Sequence, residues 1–284
     1  MTNTPAPPTP TNTPAATGTP APPSPTPPPA GGDVIYVSSS TSGSSGGVSF
    51  ADEDILAYDI ASGTWSMYFD GSDVGLGRTD IDAFAILDDG SILLSFNNTT
   101  ADVPGVGTLD DEDIFQFFPT SLGSSTAGTF ALYFDGSDVG LTASGEDVDA
   151  IGLLPDGSLV ISTVGAYSVA GASGADEDLV VFNATSLGTN TSGTFAIYFD
   201  GSDVGLNTSS SEDVWGAWLA ANGDIYLTVA GAFAVSGVSG DGADIFVCTP
   251  GSLGSVTNCT FSMYWDGSLY GYAGEVIDGF HIAR

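Results

Sequence analysis

Hydrophobic residues recur along this chain as short alternating runs bounded by Gly, Asp and Asn. In residues 129–134 (TFALYF), Phe130, Leu132 and Phe134 share one face of an extended strand, while Ala131 and Tyr133 share the other. Neither face is fully polar, which predicts sheets packed on both sides. Four kinds of run alternate. The first covers residues 80–87 and reappears at 147–154, 213–220 and 276–283. A tight turn follows it: DDG at 88–90, PDG at 155–157 and ANG at 221–223. The second run covers 91–96, 158–163 and 224–229. After a Gly/Ser-rich loop, the third covers 54–60, 113–118, 178–182 and 244–248, and the fourth 64–69, 129–134, 194–199 and 260–265.

The runs belong to a repeat. Residues 68–76 read YFDGSDVGL, the same nine letters stand at 133–141 and 198–206, and a decayed copy, YWDGSLYGY, stands at 264–272. A fixed period of this size means stacked or circularly arranged units. The ends choose between the two. The chain enters at 33–38 (DVIYVS) in a second-type run and leaves at 275–283 (EVIDGFHIA) in a first-type run. The last segment therefore supplies the strand that the first quarter lacks. This predicts an all-β, four-bladed β-propeller over residues 33–284, closed by its C-terminal strand.

Residues 1–32 differ from the rest. Twelve of the 16 prolines lie there, interleaved with Thr, and the segment has no charged side chain. Such a composition cannot bury a core and favours polyproline II, so the expectation is an extended stalk or linker. At ~3.1 Å per residue it could reach roughly 100 Å.

The charge is extreme: 35 Asp+Glu against 2 Lys+Arg, for a formal net charge of −33. Nucleic acid and anionic membrane surfaces need clustered cations, which Arg78 and Arg284 do not supply. No apolar run approaches the ~20 residues that span a bilayer. With 42% hydrophobic residues, the charge does not imply disorder. Asp outnumbers Glu 29 to 6, which points to turns, where the short carboxylate caps its own backbone.

In an up-and-down blade, three acidic motifs gather on one face of the disc. They are the starts of the first strands (Asp80/Asp82, Asp147/Asp149), the DED triplets before the third strands, and the turns after the fourth. Crowded carboxylates repel one another, and a hard cation with six to eight oxygen ligands relieves this. One expectation is therefore one Ca²⁺ per DED/DGSD pair. Its ligands are Asp52, Asp54, Asp70 and Asp73, then Asp111, Asp113, Asp135 and Asp138, then Asp176, Asp178, Asp200 and Asp203. The other is that these residues only cap turns and keep the surface soluble.

The inner-strand starts Asp82-Ala83 and Asp149-Ala150, with Asp278-Gly279 in the last blade, resemble the hemopexin-like four-bladed propeller. That resemblance implies an ion in the central channel at Asp82, Asp149 and Asp278. This chain departs from the pattern in having longer blades and Trp215-Gly216 in place of one Asp-Ala.

Cys248 and Cys259 lie on the third and fourth strands of the last blade, where a hairpin can set them opposite each other. A disulfide fits an oxidising exterior better than two free thiols. Sequons stand at Asn97, Asn98, Asn183, Asn190, Asn207 and Asn258, and Thr4, Thr9, Thr11, Thr13 and Thr19 among the prolines suit O-linked sugar.

Catalysis needs groups that break the symmetry. His281 is the only His, two Arg do not form an arginine cluster, and the acidic motifs recur in several blades. Repetition suits a scaffold. Trp215 and Trp218 read as core or as a channel plug, alternatively as a sugar-stacking platform. The expected function is a non-catalytic extracellular or cell-surface structural protein, a self-assembling subunit of a glycosylated, Ca²⁺-stabilised filament or layer. In it the stalk of one copy runs onto the next. The alternative is a carbohydrate-binding adhesin, and a Ca²⁺-assisted hydrolase is less favoured.

Overall fold

A computed structural model describes residue 1 and residues 32–97, 102–108 and 110–284. The threonines Thr4, Thr9, Thr11, Thr13 and Thr19, most of the Pro/Thr-rich segment, and Asn98 lie outside the described residues.

Four antiparallel sheets of four strands carry the repeat, one per blade. Blade one takes its inner strand from the end of the chain, Ile277–Ala283, followed outward by Val34–Ser39, Ile55–Asp59 and Thr64–Phe69. Blade two runs outward through Ile81–Ile86, Ile92–Phe96, Ile114–Ser121 and Ala127–Phe134. Blade three uses Val148–Leu153, Leu159–Thr163, Leu179–Ser186 and Ser192–Phe199. Blade four uses Val214–Leu219, Ile225–Val229, Asp244–Ser252 and Asn258–Asp266. Each inner strand packs on the next, and the last returns to the first. The protein is a four-bladed β-propeller.

The ring closes through backbone pairing of the two chain ends. Val34 lies opposite Ala283 and Val37 opposite Phe280. The Tyr272 hydroxyl donates to the Ser38 carbonyl at 3.2 Å, and the Gly279 N–H donates to Ser38 Oγ at 2.9 Å.

The core lies between blades, because every second residue of the inner and second strands is apolar and faces a neighbouring sheet. At the axis the inner strands nearly touch. A Cβ on Gly279 would stand 2.9 Å from the Phe84 nitrogen, so only glycine permits this approach. Even inner strands facing each other across the axis have Cα atoms within 8 Å. This waist separates two ends of the channel.

The Gly/Ser-rich connections are more ordered than a loop. Each folds into a small hairpin, such as Tyr167–Val169 with Ala172–Gly174 or Phe233–Val235 with Val238–Gly240. Strands this short carry too little alternation to be read in sequence. Glu146 and Glu212 hold two of these hairpins, accepting the N–H groups of Ser168 at 3.0 Å and Ala234 at 3.4 Å.

Cys248 and Cys259 form a disulfide between the third and outer strands of blade four, with Cα atoms 5.2 Å apart. Cys259 lies opposite Pro250, so the bridge runs diagonally across the pair of strands. In blade three the same space is filled by Phe182 lying over Gly193, where an added Cβ would meet the ring at 2.6 Å. The disulfide replaces a phenyl ring packed on glycine.

Candidate functional site

The acidic motifs do converge. The DED loop of each of the first three blades accepts the first backbone bond of the next inner strand: Ile81 N–H to Asp52 O at 3.0 Å, Val148 to Asp111 O at 3.1 Å and Val214 to Asp176 O at 3.1 Å. Triplets and inner-strand starts thus share one face of the disc. On that face the acids separate into two populations.

The first population holds backbone. The Gly71, Gly136 and Gly201 N–H groups each donate at 3.0 Å to Oδ1 of Asp54, Asp113 and Asp178. The Ser72, Ser137 and Ser202 hydroxyls donate to Asp70, Asp135 and Asp200. Asp73, Asp138 and Asp203 reach the next blade, where they accept the N–H of Thr126 at 2.9 Å, Thr191 at 3.0 Å and Thr257 at 2.9 Å. Those threonine hydroxyls accept the N–H of Asp70, Asp135 and Asp200 in return. The repeated nonapeptide is therefore a staple between neighbouring blades. Its partner is the SLGxxT turn of the following blade, a pairing that only the fold reveals.

The second population surrounds the channel mouth and has few donors. Asp149 and Asp278 are fully buried, and Asp82 nearly so. Both carboxyl oxygens of Asp149, Oδ2 of Asp82 and Asp278, and Oδ1 of Asp80 and Asp213 have no hydrogen-bond partner among the described residues. Trp215 takes the Asp position in blade four, and its indole N–H donates to Asp213 Oδ2 at 3.1 Å. Asp213 thus brings the fourth carboxyl to the mouth from two residues earlier in the chain, which the Asp-Ala pattern does not indicate.

Burial, then neighbouring carboxylates, raises Asp82, Asp149 and Asp278 well above the usual carboxyl range. Around them, burial and a carboxylate from the preceding blade act together. Asp80 beside Asp52 is pushed up to about 7, Asp147 beside Asp111 to about 6. Asp213 also rises to about 7, chiefly through burial. Burial lifts Glu53, Glu112 and Glu177 to about 7 as well. Two ionised carboxylates have no hydrogen to share, so the mouth requires protons or a cation. Among the described residues, no three His, Cys, Asp or Glu side chains converge closely enough to ligate one ion.

At the opposite end of the channel lies a cavity of about 710 Å³, bounded by the ends of the inner strands and the turns that follow them. Trp218 and His281 line it. The two tryptophans of blade four's inner strand, Trp215 and Trp218, therefore serve opposite ends of the axis.

Asn97, Asn183, Asn190, Asn207 and Asn258 are all exposed. No helix of the described residues is long and apolar enough to cross a membrane.

No family model and no curated protein matches the chain. Among solved structures it is similar to YCF48 from Cyanidioschyzon merolae, at 10% identity and a TM-score of 0.34 over 82% of this chain, and it spans 64% of that chain. It is also similar to the PQQ-bound aldose sugar dehydrogenase of Streptomyces coelicolor, at 10% identity and a TM-score of 0.37 over 90% of this chain and 100% of that one. At these values the likeness concerns the fold alone.

Proposed function

We propose that this protein is a non-catalytic structural subunit, a rigid acidic disc carried on a Pro/Thr-rich stalk and assembled outside the cell into a glycosylated filament or surface layer. The observation that carries this reading is the use of the repeated acids. In three successive seams they hold backbone and neighbouring blades, and repetition of that kind builds a scaffold. The disulfide in blade four supports an oxidising exterior. The exposed sequons are compatible with glycosylation. The uncharged stalk, residues 1–32, is the one part of the chain that meets a body of formal charge −33 without repulsion, which favours it as the connector between copies.

Ca²⁺ belongs to this reading at the channel mouth, the place that the hemopexin-like resemblance indicates. The orphaned, buried oxygens of Asp82, Asp149, Asp213 and Asp278 have the charge and hardness for such a cation, but as placed no three of these carboxyls converge on one point, so binding requires them to draw inward. The DED/DGSD carboxylates suit it less, since backbone donors already engage them. Melting the protein at pH 8 in Ca²⁺ and in chelator should give a clear rise in Tm with the ion. Equal Tm values would remove the cation from the proposal. Assembly is tested separately, by electron microscopy of the protein with and without residues 1–32. Filaments or sheets that persist unchanged after the deletion would overturn the role of the stalk.

A further inference from the structure

The cavity at the basal end of the channel has no part in the scaffold reading, and its chemistry differs from that of the acidic mouth. It lies across the waist from the acidic mouth. Aliphatic side chains form its walls, among them Ile86, Leu153 and Leu154, with Trp218 and His281 closing the remaining sides. At about 710 Å³ it falls in the range of pockets that enclose small organic molecules, roughly 300–1,000 Å³.

The polar groups of the cavity are few and fixed. His281 Nδ1 accepts the Ile86 N–H at 3.3 Å, which leaves the ring hydrogen of the neutral imidazole on Nε2. Burial lowers His281 to about 4, so the ring is uncharged at neutral pH. Arg284, at the edge, is already committed. Its guanidinium lies 5.0 Å from the Trp218 ring centre and 4.9 Å from that of Tyr226, pairs with Asp33 at 3.5 Å and donates to the Tyr226 hydroxyl. Trp218 is held edge-on to Tyr226, with ring centres 5.1 Å apart. Exposed Asp88 and Asp89 stand on the rim.

Each of these facts removes a ligand class. An anion would meet the rim carboxylates and a body of charge −33, with no free cation to receive it. A saccharide would need many hydrogen-bonding side chains, and of those lining the cavity only Trp218, His281, Arg284 and the rim Asp88 and Asp89 carry polar atoms. From this arrangement we infer that the basal cavity is a binding site for a small, uncharged, mainly apolar ring compound. The ligand lies against Trp218 and presents a single hydrogen-bond acceptor to His281 Nε2–H.

The test uses the full chain and three probes. Prodan is a neutral naphthalene carrying one ketone acceptor. 1-Anilinonaphthalene-8-sulfonate is of similar size and anionic. Cellobiose stands for the saccharides. Prodan should bind at one saturable site with a blue-shifted emission, the sulfonate should bind at least about tenfold more weakly, and cellobiose should not displace prodan. Trp218→Ala should weaken prodan binding by about tenfold or more. Ala221→Trp narrows the mouth from an exposed turn, tests the same site without touching the core, and should weaken it likewise. The inference is overturned if prodan shows no saturable binding, if the sulfonate binds equally well, if cellobiose displaces prodan, or if Ala221→Trp, melting like the parent, binds prodan unchanged.

Discussion

Three of the four seams between blades are polar, and the fourth is aromatic. From blade one to two, two to three and three to four, an Asp of the outer turn accepts a Thr N–H, and the Thr hydroxyl accepts an Asp N–H. The closing seam, from blade four to one, has none of this. Blade one turns tightly at residues 60–63 and has no SLGxxT turn, and Leu269 stands where Asp203 stands in the preceding copy. In place of the staple, the Trp65 indole N–H donates to the Tyr270 carbonyl at 2.8 Å. Trp65, Trp265, Tyr58, Tyr270 and Tyr272 pack together, with Trp65 and Tyr272 stacked at 5.4 Å. The difference is physical. A staple between consecutive repeats is copied each time the repeat is copied, whereas the closing seam occurs once. There Tyr58 and Trp65 belong to the N-terminal strands of blade one, which are held to blade four by packing and by the pairing of Val34–Ser39 with Ile277–Ala283 rather than by chain continuity. Burying large rings supplies more free energy there than two exchanged hydrogen bonds do.

The largest expected effect follows at the closing seam. Trp265 is almost fully buried. Trp265→Ala should lower unfolding free energy by about 3–5 kcal/mol, read by urea denaturation. Trp265→Phe should cost much less, because the indole N–H has no partner to lose. Equal costs for the two would show that ring burial is not what closes the disc.

Blade four is braced a second time by its disulfide, which closes a loop of sequence separation 11. Reduction, or Cys248→Ser with Cys259→Ser, should destabilise by about 2–3 kcal/mol. Calorimetry under reducing conditions checks this. The loss should appear as earlier opening of blade four, since the phenyl-on-glycine packing that fills the same space in blade three is absent there.

Titration separates the two kinds of seam next. Rim carboxylates face each other at the polar seams, as at Asp52/Asp80 and Asp111/Asp147, whereas the closing seam has Gly242 and Val276. A carboxyl raised in the folded state contributes stability that is fully present below its unfolded pKa and is lost as pH rises through its folded value. For Asp80 that window runs from 3.8 to about 7. The cation-free protein should therefore melt lower at pH 8 than at pH 5. Amide exchange, corrected for intrinsic rate, should quicken with pH at Ile81 and Val148, and at Ile277 only through the neighbouring buried Asp278, since no carboxylate of the preceding blade faces position 276 there. If the proposed Ca²⁺ occupies the deprotonated mouth, adding it should reverse the trend.

The propeller was legible in the sequence, because strand alternation, a fixed period and the offset chain ends all point to one ring. The gathering of acids on one face was legible for the same reason, since strand direction alone places Asp82 and Asp54 at the same end of their strands. What each acid does was not. Asp73 and Thr126 are 53 residues apart, and no local pattern marks them as partners. Asp213 aligns with Asp80 and Asp147, but that it serves the mouth while Trp215 occupies the motif position and donates to it is seen only in the fold. The basal cavity left no signal either, because its walls are ordinary strand-end leucines and isoleucines.

The smallest effect probes a single staple. Thr191→Ala removes a buried hydroxyl that accepts the Asp135 N–H at 3.0 Å and donates to the Gly188 carbonyl at 2.8 Å. It leaves both without a partner and should cost about 1–3 kcal/mol. Asp138→Asn is gentler. The amide oxygen still accepts the Thr191 N–H, and a negative charge leaves a crowded face, so the change should stay within about 0.5 kcal/mol. Asp138→Ala abolishes the bond and should fall between the two. Corresponding changes at Asp73 and Asp203 lie in separate seams and should add to it. If Asp138→Asn costs as much as Asp138→Ala, the staple works through charge. Its natural counterpart would then be a cation at the outer turn, and the division of the acids into backbone holders and orphans would fail at this point.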